Sequence, residues 1–127
     1  MPYNYHIEKA QRLVISTARD CVTYAEIRDH QDQLLFDRHF NPDFNQLIDG
    51  TRTTALEISS DEAMMVALRQ IFSGTSRRAY VSPGPTVPGV GLLMATYQDA
   101  RMISSLIRVF YDIPSAFNWL QLEADPH

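Results

Sequence analysis

"LIDGTRTTALEISSDEA", residues 47–63, passes from an apolar strand through a polar loop into a helix. Gln46 to Asp49 reads as a short buried strand. Ser59-Ser60-Asp61-Glu62 is a capping box, in which the first serine and the glutamate three residues on satisfy each other's orphan amides. Beyond it a helix is expected from Ser59 to about Phe72. There Met64, Ala67, Leu68 and Ile71 follow the i, i+3, i+4, i+7 spacing of an inner stripe. A strand that hands over to a helix is the repeating unit of an α/β domain, because two parallel neighbours need such a crossover.

The flanking sequence extends the same pattern. Tyr3–Lys9 ("YNYHIEK") and Arg12–Arg19 ("RLVISTAR") read as strands joined by a tight turn, hence an antiparallel hairpin. Tyr3, Tyr5 and Ile7 alternate with Asn4, His6 and Glu8, leaving one wet face. Thr23-Tyr24-Ala25-Glu26 is another capping box, starting a helix to about Arg38 with Ile27, His30 or Gln31, Leu34 and Leu35 inward. Asn41-Pro42 prevents its continuation. Downstream come a strand over Arg77–Pro83, a loop "GPTVPG", and a helix from about Val90 to Met102. A strand over Leu106–Asp112 and a helix "PSAFNWLQL" follow, with Pro114 in the helix's first turn and Ala116, Trp119 and Leu120 docking it. The order is ββαβαβαβα. It predicts one α/β domain over residues 1–122 with a mixed, mostly parallel sheet, an antiparallel first strand and right-handed crossovers. Residues 123–127 are expected to be a flexible tail.

Composition agrees. The 127 residues are 45% hydrophobic and 20% charged, ordinary values for a globular domain that buries a core without metals or disulfides. A net charge of −4 provides no broad footprint for nucleic acid. Cys21 is the only cysteine, which predicts a reducing compartment. The N-terminal residues have no secretory pattern, and no apolar run spans a bilayer, so the expected location is cytoplasmic. Lys9 is the only lysine, an arginine bias consistent with a GC-rich genome.

This element order, with "FNPDFNQLIDGT" (Phe40 to Thr51) and "IRVFYDIPSAFNWL" (Ile107 to Leu120), resembles the STAS and SpoIIAA-like superfamily. The similarity is to a stand-alone bacterial branch of uncharacterised proteins, and it covers almost the whole chain. It implies a SpoIIAA-like fold and a regulatory, protein-binding role. In the regulatory STAS proteins a strand-end aspartate precedes an Asp-Ser-Ser-Gly motif whose serine is phosphorylated by a partner kinase. Asp49 matches that aspartate, and the resemblance implies Ser59 or Ser60 as phospho-acceptor. Here Ile58 and Asp61 flank the pair, in place of the motif's Asp and Gly. The capping box explains Ser59 without phosphorylation, and the neighbouring Glu57, Asp61 and Glu62 oppose added negative charge.

The segment "YVSPGPTVPGVG", residues 80–91, is a strand end, a Gly/Pro loop and a helix start, an arrangement that offers backbone N–H groups to ligands. With Asp49, its Ser82, Gly84, Gly89 and Gly91, and Met94 beyond it, form the candidate ligand or partner rim. The loop has neither GxxxxGK[ST] nor GxGxxG, so no nucleotide cofactor is expected. His30 and His39 lie near Asp29, Asp32, Asp37 and Asp43 without a metal-ligand spacing, which predicts a solvated helix face and no metal. Cys21 has no histidine base beside it in sequence and reads as a half-buried small residue. "GVGLLMATY" is apolar nearly all round, more than a one-sided helix needs. With Met64, Met65 and Met102 it suggests either deep burial or a surface for a protein partner, a second copy of the chain or an apolar ligand. No convergent catalytic set is visible. The expected function is a non-catalytic STAS/SpoIIAA-like regulatory or binding module. The alternative is a carrier or sensor of an apolar, lipid-like ligand.

Overall fold

The computed structural model describes residues 3–99 and 106–121. Its elements are β1 (Tyr3–Glu8), β2 (Leu13–Thr23), α1 (Tyr24–Leu35), β3 (Asn45–Glu57), α2 (Ser60–Leu68), β4 (Arg77–Val81), α3 (Val90–Asp99), β5 (Leu106–Phe110) and α4 (Ile113–Gln121). The ββαβαβαβα order stands. One 3₁₀ turn, Lys9–Gln11, closes the β1–β2 hairpin, helped by the left-handed backbone of Arg12 at φ 53°.

The five strands lie side by side in chain order, β1 antiparallel to β2 and all later neighbours parallel. That order decides the layering. Crossovers of one hand that always step in the same direction deposit their helices on the same face of the sheet. Ile27 of α1, Val66 of α2 and Leu93 of α3 accordingly share one core with Ala18 and Tyr80 of the sheet. The opposite face belongs to α4, whose Ala116 and Leu120 pack on Leu13, Leu47, Ala79 and Val81. Alternation along β4 therefore divides Arg78 and Tyr80, which face the three helices, from Ala79 and Val81, which face α4.

Several boundaries differ from expectation. β3 is 13 residues long, not the short strand Gln46–Asp49 followed by a loop. β2 also runs on, so that Val22 pairs with Leu56 and Thr23 with Glu57, while the β3–β4 pairing ends at Asp49 and Val81. The two strands project together past the rest of the sheet, with β-branched Thr51, Thr53 and Thr54 suited to extended backbone. Register shifts between Thr17 and Arg19 and between Asp20 and Cys21 bend the ribbon, with Asp20 at φ 58°.

α1 stops at Leu35 rather than Arg38, and Leu35, placed on the inner stripe, is 46% exposed. α2 ends at Leu68 rather than Phe72, and its phase is shifted. Ala63, Val66 and Ala67 are buried, while Met64 and Leu68 face outward. The run "AMMVAL" is apolar on every side, and the two small alanines allow the closer approach to α3. Ile71 reaches the core from the irregular chain beyond α2, packing with Val14, Leu34 and Phe44. β4 ends at Val81 and β5 at Phe110, both short of the expected Pro83 and Asp112. The expected end of the third helix at Met102, and the tail 123–127, lie outside the described residues. Both predicted capping boxes are formed: Thr23 with Glu26, and Ser59 with Glu62.

Candidate functional site

Between the sheet and its three helices lies a cavity of about 70 Å³. Its floor is the helix-covered face of the sheet, including Tyr3, Gln46, Ile48, Arg78, Tyr80 and Ile107. Its roof comes from α1 (Ile27, His30, Gln31), α2 (Val66) with Arg69 just past its end, and α3 (Leu93, Met94, Tyr97). Interiors close-pack and seldom leave voids larger than one water. At the 10–15 Å³ that one water occupies by this measure, the cavity has room for about five.

A polar chain crosses the sheet side. Gln46 Nε2 donates to Ser16 Oγ at 2.9 Å, and Ser16 Oγ lies 2.8 Å from His30 Nε2. Donor and acceptor in the Ser16–His30 bond follow the histidine tautomer, and Ser16 joins the ring to Gln46 in either case. Burial lowers the His30 pKa to about 4, so the ring is uncharged at neutral pH. Tyr3 stacks on it at 4.0 Å between centroids and Tyr5 meets it edge-on at 5.4 Å. This corrects the expectation of a solvated face for His30, which is 3% exposed. The neighbouring Asp32 pairs with Arg69, while Asp37 accepts a hydrogen bond from the Tyr5 hydroxyl at 2.8 Å.

Arg78 is the other unusual lining residue. Its guanidinium lies 5.4 Å from the Phe72 ring centroid and 5.2 Å from that of Tyr97. Its Nε is buried without an acceptor, as is Nη1 of Arg69. Among the described residues the ion pairs are His6–Glu8 and Arg69–Asp32, so no carboxylate neutralises Arg78. Burial raises the Tyr3 pKa, an effect opposed in part by the nearby Arg78 charge. Burial raises that of Tyr80 too. Thr53 is near enough to temper the Tyr80 rise, yet neither the Tyr80 hydroxyl nor Thr53 Oγ1 completes a hydrogen bond.

Of the predicted rim residues, only Met94 lines this cavity. Ser82 is buried and its hydroxyl donates to the Gly84 carbonyl at 2.7 Å, holding the loop. Gly89 has φ +87°, and a β-carbon there would fall 2.1 Å from the Leu56 carbonyl oxygen. The loop thus lies along the projecting end of β3, secured by Leu56 N–H to the Pro88 carbonyl at 2.8 Å. Gly84 and Gly91 border open space. Asp49 lines a separate shallow polar depression with Arg19 and Arg52. Ser59 and Ser60 are exposed, with Ser59 Oγ accepting from Glu62 N–H at 3.1 Å. Glu57 holds the half-buried Cys21 thiol up in pKa, away from an activated thiolate. Among the described residues no group of three or more His, Cys, Asp or Glu side chains gathers as metal ligands. No helix among them is long and apolar enough to cross a membrane.

The sequence reading missed Arg69 and Arg78. The signal for Arg78 was available: in "RRAYV" the second arginine shares its face with Tyr80, and both faces of a sheet with helical crossovers are covered.

These features define an α/β domain of the SpoIIAA-like fold with an internal cavity. The chain is similar to the crystal structure of an uncharacterised protein of the DUF3478 family from Shewanella loihica PV-4, which has a SpoIIAA-like fold. The TM-score is 0.58 at 16% identity, covering 93% of this chain and 91% of the other. At that identity the likeness carries the fold alone. No protein-family model and no curated protein matches the sequence.

Proposed function

We propose that this chain is a non-catalytic binding module that holds a small, mostly apolar ligand between its sheet and helices α1 to α3. The supporting observation is the cavity of about 70 Å³, left open where close packing is the rule and lined largely by apolar and aromatic side chains. Met94 on its wall is an adaptable side chain that allows somewhat different ligand shapes. The lone thiol, Cys21, suits a cytoplasmic protein. Native mass spectrometry of the purified chain, before and after exposure to a lipid extract and to short alkanols, tests the reading. A retained small molecule of defined mass is the expected result, and a spectrum of bare protein under every condition overturns it.

A second reading, a regulatory module that binds a protein partner or another copy of itself, draws on α2 and α3. Met64, Met65, Leu68 and Leu92 are between 38% and 48% exposed, a row of soft apolar side chains on adjoining helices. Sedimentation of the wild type beside Met65→Lys decides whether that surface self-associates.

A further inference from the structure

Accepting the cavity as a ligand site, we propose that its ligand carries an anionic head group, a carboxylate on a short apolar chain, received by Arg78 and Arg69. The argument begins with what surrounds Arg78. A guanidinium is permanently cationic, and a half-buried one ordinarily finds a carboxylate. This one has two aromatic rings, Phe72 and Tyr97, and a buried Nε–H with no acceptor. Ring faces hold the cation in place, yet they leave its Nε–H without an acceptor.

Arg69 reaches the same cavity from the end of α2. Its Nη2 is engaged by Asp32, while Nη1 is buried and unpartnered. Asp32 offsets one of the two positive charges, leaving the pair with a net charge suited to a single monoanion. Two planar donor groups match the two oxygens of a carboxylate, which accepts charge-assisted hydrogen bonds from both.

The remaining walls suit the other half of such a ligand. Leu93, Met94, Ile48 and Val66 are apolar, and His30, neutral and bonded to Ser16, adds no competing charge. Room for about five waters limits the ligand to a short chain. Hexanoate is therefore the probe, with uncharged 1-hexanol as its matched control.

Titration of the labelled protein by amide NMR, with both ligands and below aggregation of either, provides the test. The wild type is expected to bind hexanoate at least about tenfold more tightly than 1-hexanol, since hydrogen bonds to charged groups exceed neutral ones by that order. Arg78→Gln and Arg69→Gln should each bring hexanoate affinity down toward that of 1-hexanol in the same variant, removing most of the preference, while Arg78→Lys retains part of it. The amide spectrum itself reports whether each variant is folded. Arg69→Gln is the safeguard should Arg78→Gln not fold, because the Arg69 side chain is 30% exposed. Equal affinity for the two ligands, or a hexanoate affinity unmoved by the arginine substitutions, overturns the head-group inference while the cavity reading survives on 1-hexanol. Failure of both ligands to shift any cavity-lining amide overturns both.

Discussion

His30 shows how one buried side chain governs the behaviour of its surroundings. The residue sits on α1 among acidic and polar neighbours, yet its ring is enclosed by Tyr3 and Tyr5 and bonded to Ser16. Its folded pKa of about 4 lies below the ordinary histidine value of 6.5. As pH falls, the unfolded chain takes up this proton first, so the folded state loses stability from about pH 6.5 down to about pH 4 and keeps all of it above 6.5. A shift of this size corresponds to about 3 kcal/mol across the window. Urea denaturation at pH 7.5 and at pH 4.5 should show most of this loss in the wild type and a clearly smaller one in His30→Gln. Equal losses in the two proteins would remove His30 from the account. Arg78 makes the same point in reverse. Its position within "RRAYV" could be read from strand alternation, but its missing counter-ion is a property of what the fold brings near it. Ser59 was legible in full, because a capping box is local in sequence and in space.

At the scale of elements, the projecting β2–β3 ribbon explains the Gly/Pro loop better than a ligand rim does. The ribbon extends beyond the end of β4, and the loop before α3 closes against it through the Leu56–Pro88 hydrogen bond. Gly89 is needed there on two counts, its positive φ and the contact of its α-carbon with β3. Gly91, two residues on, has open space around it and lies in the first turn of α3. Gly89→Ala should therefore destabilise by more than about 2 kcal/mol, whereas Gly91→Ala should stabilise by about 0.5–1 kcal/mol. Thermal unfolding of the two variants gives opposite shifts in Tm if the loop is built this way. The sequence pattern foretold where this loop lies but not its partner, since the extension of β3 is hidden in "GTRTTALE", a polar run whose threonines suit a strand as well as a loop. The phase of α2 was hidden for a related reason. A helix apolar on every side has no periodicity to read, and only contact with α3 distinguishes Ala63 and Ala67 from Met64 and Leu68.

Across the whole molecule, sheet order determines where a ligand can lie. Strands in chain order send three crossover helices to one face, and α4 alone covers the other. Three helices of different lengths over one twisted face leave a gap more readily than one helix docked by Ala116 and Leu120. Element order and parallel pairing were legible from crossover logic, whereas the cavity was not, because it is the residue of packing among side chains far apart in sequence. Ala18, 3% exposed and on the cavity wall, connects the two. Ala18→Val adds two methyl groups where a core without free volume resists them, at about 1–3 kcal/mol. If the gap is real, the added groups occupy it, so stability should hold or rise while affinity for 1-hexanol falls by roughly tenfold. Denaturation midpoints and NMR titration of the same preparation measure both effects. Retained binding together with a loss above about 2 kcal/mol would mean that the sheet and helices already meet at Ala18, and that the site for a ligand lies elsewhere.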